Sequence, residues 1–237
     1  MSEEQLVYKK KKKKFKIFPI VNAIFFILVS LLILFPMWKV IVDSFDAHSA
    51  TSFRWWPNAF SVGGYNAILS RSALYSPFVI SVVTTLVGTF MGLLLATLGG
   101  YVLIQWDMPG RTFFANFLLF TMIFNGGMIP TYLVMKNLGL TNNLLGVVLL
   151  PAINIYNLVL MRNFFEGIPQ SLFEAATLDG CTPMATFIKV VLPLSKAALA
   201  SIGLMFAVAY WNDYTNYKLY ITDSSLYNFQ MKLRSIM

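Results

Sequence analysis

Five apolar stretches, each close to or beyond the length that crosses a bilayer, decide what this chain can fold into. A transmembrane helix needs about 20 mostly apolar residues. Pro19–Val40, Pro77–Ile104, Thr112–Met135, Leu144–Met161 and Pro193–Trp211 answer to that description. None shows the period-2 alternation of a strand, and all are too long for barrel strands, so the spans are expected to be helices. The fold class is therefore all-α, a polytopic transmembrane helix bundle with five spans. Composition agrees: 57% of residues are hydrophobic and 12% charged, against about 25% charged in a soluble domain. A folded chain of 237 residues could not hide so much apolar surface from water in its own interior.

A net charge of +8 would suggest nucleic acid in a soluble protein. Here seven of the 18 basic residues are Lys9–Lys14 and Lys16, directly ahead of the first apolar run. That is the place and sign of a cytoplasmic anchor, and no nucleic-acid partner is needed. The first run exceeds the roughly 7–15 residues of a signal-peptide core, so it reads as an uncleaved span. With the lysines inside, 1–16 is a basic cytoplasmic tail, 17–42 the first span and 43–75 an extracytoplasmic loop. Segment 105–111 is then inside, 136–143 outside, 162–192 inside and 212–237 outside.

Several chemistries are disfavoured. Cys181 and His48 are the only residues of their kinds, too few for a zinc site or a His-assisted nucleophile. No GxxxxGK[ST] phosphate loop occurs, so any ATP must be bound by another subunit. No span carries a lone acidic or basic residue near its middle, which argues against an ion-coupled transporter. No filter or charged ring of a channel stands out. No catalytic constellation or metal site is found, and the chain is read as binding no cofactor of its own.

The stretch Arg162–Pro193 says more than "membrane", being too long and regular for a mere connector. Ser171 and Glu174 have capping-box spacing, which predicts a short helix starting at Ser171 and ending at Gly180. Thr182-Pro183 then reads as N-cap and first residue of a second helix, with Pro193 opening span five. Phe173, Ala176 and Gly180 form a small apolar stripe, able to lie against a partner or against the protein's own helix ends.

Glu174-Ala175-Ala176-x-x-Asp179-Gly180, followed by Val190-x-Leu192-Pro193, resembles the EAA loop of binding-protein-dependent ABC importer permeases. Phe124–Tyr132, Lys136–Leu140, Asn163-Phe-Phe-x-x-Ile168-Pro169 and Trp211-Asn-Asp-Tyr214 are similar to the MalG-like permeases of the carbohydrate-uptake branch. The resemblance runs from Phe18 onward. It implies a type I ABC transmembrane domain over 76–237, with a coupling loop at 163–192 that docks on an ATPase. Carried over, Glu174, Ala175, Ala176, Asp179, Gly180, Leu192 and Pro193 belong to that loop. The implied partners are a second homologous permease, two ATPase subunits holding ATP and Mg, and an extracytoplasmic solute-binding protein. A saccharide is the implied substrate and a bacterial cytoplasmic membrane the setting. A non-sugar solute is the alternative, and more remotely a membrane scaffold or enzyme. Relatives carry a sixth span, which is not seen in this sequence. Cys181 stands where many relatives have alanine and reads as a small buried residue.

Asn125-Gly126-Gly127 and Pro130 interrupt the third run, either lining a cavity or marking a packing kink or helix end. Asn154 and Asn157 are cavity candidates or bond a neighbouring helix. Trp211 could stack on a sugar ring or belong to an interfacial aromatic belt. Gly88, Gly92, Ala96 and Gly99-Gly100 fall near one face of the second run, where they suit close helix packing.

Overall fold

The computed structural model describes residues 17–47, 55–105 and 107–236. The lysine cluster that sets the expected orientation, and His48, lie outside them. The described residues form helices and connecting turns without a β-strand, only an isolated bridge between Asp46 and Phe60. The chain divides into two compact units, Met1–Arg71 and Ser72–Met237.

In the first unit, α1 (Ile17–Ser44) runs longer at both ends than the expected span. Its 28 residues reach about 42 Å, more than the roughly 30 Å hydrocarbon layer. It is apolar on every side, and Val42 is its only buried residue, as suits a helix whose solvent is lipid. Beyond it the chain folds back through aromatic contacts. Phe45 stacks on Phe60 at 5.3 Å, and the Tyr65 hydroxyl of α2 (Gly63–Leu69) donates to Ser44 Oγ at 2.8 Å.

The second unit is organised around α3 (Tyr75–Ile104), whose small residues form its packing seam. A side chain at Gly88 would run into the Tyr210 ring, and one at Gly92 would come within 2.6 Å of Phe206. Both aromatics belong to α11 (Lys196–Trp211). A Cβ at Gly100 would lie 3.1 Å from the backbone nitrogen of Arg162, on α7 (Ile155–Glu166). Glycine here lets helix axes approach as closely as rings and backbone allow. One core joins Ala96 and Tyr101 of α3 to Met161, Phe165, Phe187, Ile202 and Phe206. A smaller one gathers Met135, Val147, Tyr217, Tyr220 and Ile221.

The remaining three expected spans are each bent pairs, so two helices cross a membrane by length alone and up to five spans form if each pair counts as one. The third run is not one interrupted helix. It is α4 (Arg111–Ile123) and α5 (Met128–Asn137) at 114°. Asn125 Oδ1 accepts the Gly127 amide at 2.9 Å, and Gly127 takes φ +89°, a conformation open to glycine. The fourth is α6 (Leu144–Ala152) and α7, bent by 42° just after Pro151, and it continues past Met161 to Glu166. The fifth begins earlier than Pro193. Here α9 (Pro183–Thr186), a π turn (Phe187–Val191) and α10 (Leu192–Leu194) precede α11 at 81°. Pro193 therefore sits inside the helix before the bend at Ser195, not at the opening of the span.

After α11 the chain forms α12 (Thr215–Tyr220) and α13 (Phe229–Ile236), in a segment expected as a loop. Asn142, at φ 54°, anchors this part. Its amide donates to the Tyr220 carbonyl at 2.6 Å, and its Oδ1 accepts from Thr222 and Asp223 at 3.1 and 2.9 Å.

Candidate functional site

The loop between α7 and α9 is built around α8 (Gln170–Leu178). The Ser171–Glu174 capping box does not form: α8 begins one residue earlier, its N-cap is Pro169, and no side chain caps it. Pro169 is extended at ψ 129°, which sets the helix start without needing a hydroxyl. The other end follows the sequence closely. The Cys181 amide donates to the Ala176 carbonyl at 2.9 Å and the Gly180 amide to Thr177 at 3.0 Å. With Gly180 at φ +73°, this is a Schellman stop. Thr182 then caps α9, its Oγ1 accepting the Ala185 amide at 3.3 Å, with Pro183 in the first turn.

Two faces of α8 differ sharply. Ala176 is buried and Phe173 packs against the main core, so the apolar stripe lies on the protein's own helices. Gly180 at its end is exposed. Glu174, Ala175, Leu178 and Asp179 are also exposed, Leu178 to 89%. Glu174 makes no hydrogen bond or ion pair among the described residues. Leu178 was not singled out by sequence. Its signal was there, because it lies four residues from Glu174 and two from buried Ala176, on the outward face. Cys181 is half-buried rather than buried. Leu192 packs against the main core, and Pro193 is exposed.

Between α8 and the ends of α3, α4 and α7 lies a cavity of about 1200 Å³, lined by Tyr101, Gln105, Asp107, Arg111, Glu166, Phe173 and Glu174 among others. Three contacts frame it. The Tyr101 hydroxyl donates to the Pro183 carbonyl at 2.7 Å, tying α3 to α9. Glu166 accepts from Arg162 at 2.7 Å and from Arg111 at 3.3 Å.

The expected cavity residues do not meet in one place. Asn154 is the exposed N-cap of α7, accepting the Asn157 amide at 3.0 Å, and Asn157 is buried. Asn125 and Gly126 lie exposed at the α4–α5 break. Trp211 ends α11, its ring edge-on to Phe78 at 6.1 Å. It borders a small cavity of about 280 Å³ with Thr85, Ala207, Val208 and Asn212. Among the described residues the Thr85 and Thr89 hydroxyls are buried without a partner, whereas Thr84 and Thr97 bond carbonyls of their own helix. Just past Trp211, burial raises the Asp213 carboxyl above its ordinary range, while hydrogen bonds from Asn216 oppose the shift.

Membrane-length apolar helices, a seam of glycines and a loop helix presented outward define a polytopic membrane helix bundle. Comparisons with known proteins agree. Over 215 residues the chain is 40% identical to the polygalacturonan/rhamnogalacturonan transport system permease protein YtcP of Bacillus subtilis (strain 168), covering 90% of this chain and 75% of that one. To protein LplC of the same organism it is 35% identical over 224 residues, 93% of this chain and 76% of that protein. Among solved structures, a bacterial ABC transporter involved in import of the acidic polysaccharide alginate superposes with TM-score 0.88 at 32% identity, covering 95% of this chain and 81% of that chain. No family model matches. The chain belongs to the permease subunits of carbohydrate ABC importers.

Proposed function

We propose that this permease pairs with a second homologous permease to move an oligosaccharide or polysaccharide fragment, delivered by an extracytoplasmic solute-binding protein. Two separate ATPase subunits, holding ATP and Mg, drive it by docking on the loop around Glu174–Gly180. The chain itself catalyses nothing and holds no cofactor. Its N-terminus lies in the cytoplasm, and α8, as the element an ATPase would grip, faces the cytoplasm. The substrate class rests on relatives whose named cargoes are polygalacturonan, rhamnogalacturonan, arabinooligosaccharides and alginate.

The observation that carries the docking role is the two-faced α8. A short helix held at one end by a Schellman stop buries Ala176 on its own bundle while leaving an acid and a bare leucine facing out. An exposed, unpaired Glu174 can meet a basic group, and Ala175 and Gly180 permit close approach. ATP binding that favours one ATPase arrangement would then shift the helices between inward and outward access, since only differential affinity moves such an equilibrium.

The test is co-purification of the chain with candidate ATPases, comparing wild type with Glu174→Ala. Lost saccharide uptake with intact ATP binding supports the reading. Unchanged uptake and unchanged ATPase capture would overturn it.

A further inference from the structure

Arg111 stands at the first position of α4, where a cation is disfavoured because the helix N-terminus is itself electropositive. Its side chain answers this by turning back. Arg111 Nε donates to the Leu103 carbonyl at 2.7 Å, in the last turn of α3. There the carbonyls lack intrahelical partners and a cation is favoured. The other arm of the guanidinium reaches Glu166 Oε1 at 3.3 Å, 55 residues away on the last turn of α7. The same oxygen accepts two bonds from Arg162, at 3.1 and 2.7 Å. The side chains of Arg111 and Arg162 are only 23% and 21% exposed. One carboxylate is thus shared by two guanidinium groups, from α4 and α7, and Arg111 ties that pair to the end of α3.

The placement gives this cluster more than local interest. Glu166 is the final residue of α7, and three residues separate it from α8. On the other side, α4 has no buried residue of its own and packs chiefly on α7 and α3. Its junction with α5 is the sharpest of the three bent pairs among the described residues, at 114°, turning on Gly127. A helix with so little burial follows whatever holds its base. An Arg162–Glu166 pair alone would be an ordinary one-turn surface pair of small worth. The Arg111 arm converts it into a bond between elements.

We infer that Arg111, Glu166 and Arg162 form a positioning latch that carries movement of the α8 loop into the broken α4–α5 span. This rests on the reading that an ATPase grips α8. The latch touches neither ATP nor cargo; it acts by keeping the base of α4 moving with α7. Without it, the loop still docks and the ATPase still turns over, but the span no longer follows.

The experiment uses the complete transporter in proteoliposomes with its binding protein and an oligosaccharide. ATP hydrolysis and uptake are measured together for wild type, Glu166→Gln, Arg111→Glu and the exchange Arg111→Glu/Glu166→Arg. The exchange keeps one carboxylate between two guanidinium groups. ATPase capture by each single variant should match wild type, with saccharide moved per ATP falling roughly fivefold or more. The exchange should recover a large part of that ratio. A merely structural role would lower hydrolysis, uptake and assembled complex together, leave the ratio unchanged and show no recovery, and that result would overturn the latch. Failure of the underlying reading shows up separately, as a wild-type chain that captures no ATPase.

Discussion

The Tyr210 hydroxyl donates to the Val148 carbonyl at 2.6 Å while the ring of the same residue fills the place where Gly88 has no side chain. One residue thereby joins α11 to α6 and to α3. All three groups are buried, and inside a bilayer no water stands ready to replace a lost partner.

Two substitutions separate the parts of this junction. Tyr210→Phe keeps the ring and removes the hydrogen bond, and should cost about 1 kcal/mol. Gly88→Leu leaves the bond's atoms in place but forces a side chain into the ring, and should cost about 3 kcal/mol or more. Thermal unfolding in detergent should therefore rank wild type above Tyr210→Phe and Tyr210→Phe above Gly88→Leu. The reverse order would mean that the hydrogen bond, not the close approach, holds α11.

At Gly180 the constraint is backbone alone. A Cβ there would meet nothing within 4 Å, but φ is +73°. Gly180→Ala should therefore destabilise the end of α8 by about 1 kcal/mol through conformation only. Gly180→Asn should cost less, because asparagine tolerates the left-handed region. Hydrogen exchange of the Gly180 and Cys181 amides reads the difference directly. Equal exchange in wild type and Gly180→Ala would show that the Schellman stop is not set by the glycine.

The chain's terminators and caps were more legible than its bends. Gly180, Thr182 and Pro183 act where their local chemistry placed them, because a left-handed stop or a hydroxyl cap is decided within four or five residues. The glycine face of α3 was readable for a similar reason, since 3.6-residue periodicity aligns Gly88, Gly92 and Ala96. The capping box failed because Pro169 had already fixed the helix start. The 81° turn at Ser195 had no signal, since Leu192-Pro193-Leu194 reads as apolar span whether it runs straight or bends. Likewise the Arg111–Glu166 contact spans 55 residues and depends on where α4 and α7 settle, which periodicity does not encode. Leu178 was readable in principle, from the outward side of the helix that buries Ala176.

Neighbouring positions on α8 should behave in opposite ways. Leu178 is 89% exposed and Ala176 only 6%. Leu178→Asp should leave the unfolding midpoint of the isolated chain near wild type, yet sharply reduce ATPase capture, because the apolar face offered outward is replaced by a charge. Ala176→Leu should destabilise the chain by about 1–3 kcal/mol through overpacking against the bundle. Paired thermal and pull-down measurements decide it. If Leu178→Asp captures ATPase as well as wild type, the outward face of α8 is not the docking face.

Asp223 provides a pH signature for the segment that Asn142 anchors. Its carboxylate accepts the Ser225 amide at 2.9 Å and caps the short turn Ser224–Leu226. The backbone bond from Ser225, and then its side chain, hold the carboxyl below the ordinary aspartate value of 3.8. A folded-state value lower than the unfolded one contributes stability above the unfolded value, and that contribution is lost as pH falls through the folded one. The unfolding midpoint should therefore drop on acidification from about pH 5 to below 4, with a share of the slope that Asp223→Asn removes. Asparagine can still accept the Ser225 amide, so the variant should keep the turn while losing the pH response. Amide exchange at Ser225 and Leu226, followed at pH 7 and again well below the ordinary aspartate value of 3.8, checks both halves. A slope unchanged by Asp223→Asn would assign the acid sensitivity to other carboxylates.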